Sequence, residues 1–179
     1  VLSQEDKDSG VCLVDIGAGV TSYSVFGDEG IIRSGVVASG GDEITHEIAY
    51  AFDTSFEEAK RLKENYGSAK SSTLKEDKLI RFTQNKEEHH LSSLELSEVI
   101  EEAYRAIFTL LNNELKHHNL NVFIRSGFVL CGGGAQINSI LELVRDFFSK
   151  RVKIGQIQRS RISGLETILT DYKFASAIG

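Results

Sequence analysis

The stretch VCLVDIGAGVT (residues 11–21) joins an apolar run to a glycine-rich turn, and a second stretch, FVLCGGGAQI (residues 128–137), does the same. A short run of β-branched and aliphatic residues before such a turn is typical of a buried strand. Glycines at the end of a strand let backbone N–H groups approach a phosphate or a base closely, because no Cβ intervenes. Two such turns in one chain indicate a nucleotide held between them.

The spacing of the glycines excludes two other nucleotide motifs. A Walker loop requires a lysine after its last glycine, and none follows either turn. A dinucleotide fingerprint opens a helix, whereas residues 20–26 read VTSYSVF and predict a strand. The first turn is therefore predicted to close a β-hairpin, with strands over residues 11–16 and 21–26 and a third strand over residues 30–38.

Asp15 is the acidic residue of the first turn. A carboxylate would repel a bare phosphate, so its natural role beside phosphates is to hold a hydrated Mg²⁺ ion. The alternative is an aspartate that closes a β-turn through its own side chain.

A phosphate-binding β-hairpin is typical of the actin and sugar-kinase superfamily, and the two turns resemble its second phosphate loop and its adenosine motif. Within that superfamily the chain resembles the FtsA family of bacterial cell-division proteins. Residues 40–52, 58–69 and 169–179 carry the rest of the resemblance, which covers nearly the whole chain. The sequence departs from the family at Ala18 and Val20, where a glycine and a threonine are usual.

The resemblance implies an α/β fold: domain II of an actin-like (ribonuclease H-like) protein, with a mixed sheet flanked by helices and a small α+β insertion. Residues 10–53 and 122–179 would form subdomain IIA, the nucleotide-binding core. Residues 54–121 would form subdomain IIB, the partner-binding insertion. A first domain with its own phosphate loop would precede this chain, so the chain would supply half of a site for ATP and Mg²⁺. The intact protein would be at most a weak ATPase, and this part alone would be inactive.

The resemblance also implies a set of nucleotide-binding residues: Asp15, Gly17, Gly19, Val20, Thr21, Gly41, Lys60, Lys63, Glu64, Gly132, Gly133, Gly134 and Ile137. The amides of the first turn would face the phosphates. Three of these assignments have alternatives in the residues themselves. Lys60 and Lys63, with Glu57 and Glu58, also suit a solvated helix face. The second glycine run also suits a sterically required turn, and Asp42, beside Gly41, also suits a helix N-cap.

A partner groove on the insertion is implied in the same way. Family members hold the C-terminal peptide of FtsZ, the division tubulin, and the groups available here are His89, His90, Tyr104 and Arg105. Each also suits an ordinary exposed position. The intact protein would polymerise and act at the cytoplasmic face of the inner membrane at the division site. Its membrane contact would be a C-terminal amphipathic helix that this sequence does not contain.

Two other functions are weaker alternatives. A PilM-like scaffold of type IV pilus assembly resembles part of the pattern, but residues 48–52 and 65–67 favour the division family. A sugar or acid kinase would need a second carboxylate in the cleft, and no candidate is apparent.

The composition of the chain disfavours two further classes of protein, nucleic-acid-binding proteins and proteins that span a membrane. The chain has 179 residues, a net charge of −6 and two cysteines. Interspersed acids and bases disfavour a nucleic-acid surface, and no apolar run approaches the roughly 18 residues of a membrane span. Cys12 and Cys131 are predicted to be reduced core thiols. Two adjacent-histidine pairs, at residues 89–90 and 117–118, are poorly placed to chelate a metal.

The remaining pattern predicts further elements. Residues 1–9 are expected to fray, Ser55 and Glu58 to form a capping box, and Gly67 to stop the helix that follows. A hairpin is predicted over residues 78–83 and 87–91, and a long helix from Ser93 to about residue 117. After a strand at 126–131, a helix opens at Ala135, a strand covers 151–157, and a last helical turn starts at Tyr172.

Overall fold

The computed structural model describes residues 1–85 and 87–155. Its strands are β1 (Val11–Ile16), β2 (Thr21–Gly27), β3 (Gly30–Val37), β4 (Leu79–Gln84), β5 (Glu87–Ser92), β6 (Gly127–Cys131) and β7 (Val152–Ile154). Five of them form a mixed sheet in the order β3-β2-β1-β6-β7, while β4 and β5 form a separate antiparallel pair. The predicted α/β fold with a mixed sheet and a small second sheet is confirmed.

The sheet combines two kinds of pairing. β1, β2 and β3 form an antiparallel meander, whereas β6 runs parallel to β1 and β7 runs parallel to β6. In β2, every second residue is buried, which places Tyr23 and Val25 on the core face. All five residues of β6 are buried, as expected for an interior parallel strand. The ends of β1 and β6 therefore lie side by side, and both glycine turns emerge there.

The helices are α1 (Gln4–Asp8), α2 (Gly41–Ala51), α3 (Phe56–Tyr66), α4 (Ser93–His117) and α5 (Ile140–Phe148). The predicted long helix is confirmed as α4, which begins after a capping box between Ser92 and Glu95. Its apolar stripe enters the core through residues that include Ile100, Ile107 and Leu111. The predicted stop at Gly67 is also confirmed, since its N–H donates to Lys63 O as α3 ends.

Four local predictions are wrong. Residues 1–9 do not fray, because Ser3 caps α1 through a capping box with Asp6. Ser55 caps α3, but Glu58 does not complete the box, since its carboxylate binds Arg61 and the Thr83 N–H. Asp42 is not an N-cap, since it lies inside α2 and Gly40 holds the cap position. No helix opens at Ala135: Gly133–Gln136 is a 3₁₀ turn, and α5 starts only at Ile140.

The β4–β5 hairpin is confirmed and docks on α3 through backbone groups of β4. Arg61 donates to Arg81 O at 2.8 Å, and Thr54 Oγ1 donates to Thr83 O at 2.5 Å. These bonds occupy the edge of β4 that β5 leaves free. The subdomain limits at residues 53/54 and 121/122 stay a prediction.

Two further points concern composition. Cys12 and Cys131 are both buried and not disulfide-bonded, as predicted. Across residues 1–85 and 87–155, none of the helices combines the length and apolarity needed to cross a membrane. The predicted strand at 151–157 is found as β7, Val152–Ile154. Its last two residues and the predicted turn at Tyr172 lie outside the described residues.

Candidate functional site

A cavity of about 620 Å³ lies where the two glycine turns meet α2 and α3. Its walls combine backbone from both turns with charged side chains from two helices. The lining residues are Gly17, Ala18, Gly41, Asp42, Lys60, Lys63, Glu64, Gly67, Tyr104, Gly133, Gly134, Gln136, Ile137 and Asn138. The size suits a drug-sized or nucleotide-sized ligand.

The first turn is closed by its own backbone. The Gly17 N–H donates to Val20 O at 3.0 Å, and Gly17 O in turn accepts the Gly41 N–H at 2.9 Å. A second bond, from the Asp42 N–H to Ala18 O at 2.8 Å, fixes α2 against the same turn. The expectation that the Gly17 amide faces a phosphate is therefore wrong, because that donor is used inside the hairpin.

Thr21 lies at the far side of the turn and points into the protein. Its side chain is fully buried, and its hydroxyl donates to Ser39 O at 2.8 Å. The expected contact between this side chain and a nucleotide is wrong for that reason. Gly19 and Val20 also lie outside the lining of the cavity, with the Val20 side chain exposed.

α3 contributes Lys60, Lys63 and Glu64 to one wall, so the structure brings these three predicted residues together. Lys63 Nζ donates to Gly41 O and to Thr45 Oγ1, each at 2.6 Å. Burial lowers the pKa of Lys63, because the charged ammonium loses hydration. The solvated-face interpretation therefore fails for Lys63, which joins α3 to the start of α2.

The second turn packs directly on the end of β1. Gly132 has φ +86°, and a Cβ there would overlap Asp15 Oδ1 and approach Ile16 O to 2.5 Å. A Cβ on Gly134 would overlap the Ile16 side chain. Gly133, in contrast, has no atom within 4 Å of such a Cβ and faces the cavity. Gly132 and Gly134 thus have a steric role, which is compatible with ligand binding because Gly134 also lines the cavity, and Gly133 leaves backbone open to a ligand.

Asp15 lies beside Gly132, outside the lining of the cavity. Burial raises the pKa of its carboxyl. Within residues 1–85 and 87–155, neither a hydrogen bond nor an ion pair reaches this carboxylate, so it does not close a turn. Burial, together with the nearby Asp15 charge, raises the pKa of the Cys131 thiol to about 12. The thiol is therefore protonated and unreactive at neutral pH.

Tyr104 is a correction to the partner-binding prediction. Only 1% of the residue is exposed, and its hydroxyl donates to Gly134 O at 2.7 Å. It contacts the second glycine turn and, being buried, does not lie on an exposed surface that a partner could bind. Sequence reasoning missed this role, as it missed Ala18, Gly67, Gln136 and Asn138 in the lining. The position of Tyr104 on the apolar stripe of α4, between Ile100 and Ile107, was the available signal.

The other predicted partner residues are spread over two places. His90 is exposed on the hairpin, paired across from Arg81, whereas His89 is half-buried with its ring 5.9 Å from that of Phe82. Arg105 lies in α4, roughly 18 Å along the axis from the start of the helix. It forms a 2.8 Å ion pair with Glu101. In the described part of the chain these three side chains do not form one cluster, and their role in partner binding stays a prediction.

Sequence comparison finds the FtsA family. The family model for cell division protein FtsA matches residues 12–179. Cell division protein FtsA of Pseudomonas aeruginosa is 30% identical over 181 residues, which cover 100% of this chain and 43% of the relative. FtsA of Escherichia coli K12 is 29% identical over 188 residues, covering 100% of this chain and 44% of the relative. The chain thus spans less than half the length of these relatives.

Structural comparison finds actin-like proteins. MreB 5 of Spiroplasma citri bound to AMPPNP has a TM-score of 0.74 at 23% identity, over 85% of this chain and 50% of that one. A PilM–PilN type IV pilus biogenesis complex has a TM-score of 0.68 at 18% identity, and the match covers 97% of this chain and 45% of that one. A MamK double helical filament has a TM-score of 0.62 at 17% identity, and the match covers 82% of this chain and 49% of that one. The fold is therefore actin-like, and the family match over residues 12–179 identifies this chain as a member of the FtsA family of cell division proteins.

Proposed function

We propose that this chain supplies one half of an ATP site in an actin-like cell-division scaffold. The observation that carries the proposal is the cavity of about 620 Å³ between the first hairpin turn, α3 and the second glycine turn. Eight of the residues predicted to bind nucleotide line it: Gly17, Gly41, Lys60, Lys63, Glu64, Gly133, Gly134 and Ile137. The match to the FtsA family supports the assignment to cell division.

The residues present fit an adenine nucleotide. Gly133 leaves backbone unobstructed on one side of the cavity. Lys60 and Lys63 supply positive charge on the other side, where Asp42 and Glu64 supply acceptors for ribose hydroxyls. A structural relative of the same fold, MreB 5, was solved with AMPPNP, an ATP analogue.

Asp15 fits a role toward Mg²⁺. Its carboxylate has no protein partner in the described part of the chain and lies at the end of β1, next to the second turn. Mg²⁺ keeps most of its water and is commonly held through one carboxylate and the phosphates of the nucleotide. Bound there, the ion would neutralise phosphate charge. No cluster of three or more ligating side chains exists among residues 1–85 and 87–155.

In the intact protein, the scaffold would polymerise and hold FtsZ at the membrane. Actin-like neighbours of the same fold include a double helical filament. The insertion would bind the FtsZ C-terminal peptide, either on the hairpin at His89 and His90 or on α4 at Arg105. A C-terminal helix would contact the cytoplasmic face of the inner membrane. Nucleotide turnover would be weak. A pilus scaffold is not favoured, since PilM matches in structure alone.

A charge reversal in the cavity tests the nucleotide site. In the protein that contains this chain, Lys60→Glu should weaken binding of a fluorescent ATP analogue about tenfold, or ~1.4 kcal/mol. The matched control is Lys116→Glu, a reversal at an exposed lysine of α4 outside the cavity. Equal affinities for wild type and both variants would contradict the proposed site.

Titration of a labelled FtsZ C-terminal peptide tests the partner. Two variants, His90→Glu on the hairpin and Arg105→Glu on α4, probe the two separate surfaces. We expect saturable binding in the wild type and at least a tenfold loss in one variant, which locates the groove. Absence of binding to the folded wild-type protein would contradict the FtsZ assignment without affecting the nucleotide site.

A further inference from the structure

Tyr104 joins the long helix to the second glycine turn. It is buried in α4, its ring stacks on Phe108 with centroids 6.0 Å apart, and its hydroxyl reaches Gly134 O at 2.7 Å. A buried phenol requires a hydrogen-bond partner. Here the partner is the carbonyl of a residue that lines the cavity. A phenylalanine would fill the same space but would leave that carbonyl without this bond.

The turn that receives this bond is short and rich in glycine. Gly133–Gln136 is a single 3₁₀ turn, whose internal bond runs from the Ala135 N–H to Gly132 O at 3.2 Å. Consecutive glycines lose more conformational entropy on ordering than other residues. An outside bond that orders the turn in advance lowers the entropy lost when a ligand binds.

The same helix also holds the neighbouring rim of the cavity. Glu101, one turn before Tyr104, accepts from both the backbone N–H and the hydroxyl of Ser71, each at 2.9 Å. The chain just before Ser71 bonds to Asn138, two residues after the glycine turn, since the Ala69 N–H donates to Asn138 O at 2.8 Å. α4 therefore holds both segments that border this side of the cavity.

We propose that Tyr104 is a positioning residue for the nucleotide, whose hydroxyl fixes the Gly133–Gln136 turn in the shape that accepts the ligand. This inference rests on the proposed nucleotide site. It goes beyond that site by assigning part of the affinity for nucleotide to a side chain of α4, the long helix of the predicted partner-binding insertion. Tyr104 borders the cavity, but its hydroxyl is taken up by Gly134 O, so it acts through the backbone of the turn.

The test compares two buried tyrosines in the protein that contains this chain. Tyr104→Phe removes the hydroxyl under the turn. Tyr23→Phe removes a hydroxyl that donates to Glu114 at 3.4 Å, away from the cavity. We expect Tyr104→Phe to bind a fluorescent ATP analogue about five- to tenfold more weakly, in line with the loss of one buried hydrogen bond. Tyr23→Phe should bind within about twofold of wild type at a similar melting temperature.

A second readout separates positioning from general stability. Hydrogen exchange at the Ala135 amide should be faster in Tyr104→Phe than in Tyr23→Phe, because that amide closes the turn. Unchanged affinity in Tyr104→Phe, beside a wild type that binds, overturns the inference alone. Equal weakening in both variants also overturns it, since the cause would then be lost stability. A folded wild type that binds no nucleotide overturns the proposed site and this inference together.

Discussion

The two glycine turns look alike in sequence but are held in different ways. The first, after β1, is closed by short backbone bonds within the hairpin and to the start of α2. The second, after β6, is fixed by packing on Asp15 and Ile16 and by the hydroxyl of Tyr104. One turn is maintained by backbone hydrogen bonds within itself and to the start of α2, and the other by contacts with residues much farther away in the sequence.

This difference explains why glycine is needed in each place. In the second turn, two features of Gly132 disfavour a side chain. Its φ is positive, and a Cβ there would overlap the Asp15 carboxylate and the Ile16 backbone. In the first turn, Gly19 has open space around it, and the tight position is Gly40, at the start of the helix packed on that turn. A glycine-rich appearance therefore does not identify which glycine is required.

The largest effect should come from Gly132→Ala. The new Cβ would overlap Asp15 and Ile16 in a backbone conformation that alanine adopts reluctantly, so we expect a loss of about 2–4 kcal/mol in the free energy of unfolding. Urea unfolding followed by circular dichroism measures it. Gly133→Ala, one residue on and in open space, is the control and should lie within about 0.5 kcal/mol of wild type. Similar losses in both variants would show that packing on β1 does not hold the turn.

Gly40→Ala should cause the next largest loss of stability. Gly40 precedes α2 and packs against the first turn. A Cβ there would lie 2.5 Å from Ala18 O and 2.8 Å from Gly17 O, although the backbone conformation suits any residue. Pushing α2 away from the hairpin should reduce the free energy of unfolding by about 1–3 kcal/mol. Gly19→Ala in the same turn should change it by less than about 0.5 kcal/mol. The urea midpoints of the two variants give the comparison. A larger loss of stability in Gly19→Ala than in Gly40→Ala would contradict the view that Gly40 is the tightly packed glycine.

Thr21→Val tests the hydrogen bonding that supports the first turn. The substitution keeps the shape but leaves Ser39 O without its donor, so a loss of about 1–2 kcal/mol is expected. Thr109→Val removes a hydroxyl bond to the backbone of an exposed helix position and should be nearly neutral. Thermal unfolding of the two variants gives the comparison. If Thr21→Val is as stable as wild type, the buried hydroxyl contributes nothing.

The smallest effect concerns Lys63, which bonds the carbonyl beside the first turn. Burial lowers its pKa from the usual 10.5, so between the lowered value and 10.5 the unfolded chain holds a proton that the folded chain has released. Stability should therefore rise with pH in that range. The difference between wild type and Lys63→Met, measured by urea unfolding at several pH values up to about 10.5, should show this rise. A difference independent of pH would mean that the ammonium is not desolvated.

Much of the fold was predictable, because local patterns determine it. Alternating burial in β2 and the apolar stripe of α4 are visible in the residues, and the capping box at Ser92 and Glu95 fixes where α4 begins. The start of α5 was not predictable in the same way. Ile137 belongs to the apolar pattern, but the glycines before it form a 3₁₀ turn that delays the helix to Ile140.

The candidate site was predictable at the level of its segments and less so at the level of atoms. The glycine turns and the charged face of α3 do meet in one cavity. However, no local pattern reveals that Thr21 points inward to Ser39, or that Tyr104 reaches across to Gly134. These are contacts between distant segments, and they depend on how the helices pack on the sheet.

The parallel pairing of β1 with β6 has a consequence for folding in the cell. Val11 pairs with Gly127, so the first strand lacks its interior neighbour until the ribosome has made most of the described chain. At typical synthesis rates this wait lasts on the order of 10 s. During that time the edge of β1 that later pairs with β6 is open, and an unpaired strand edge can pair with another chain and aggregate.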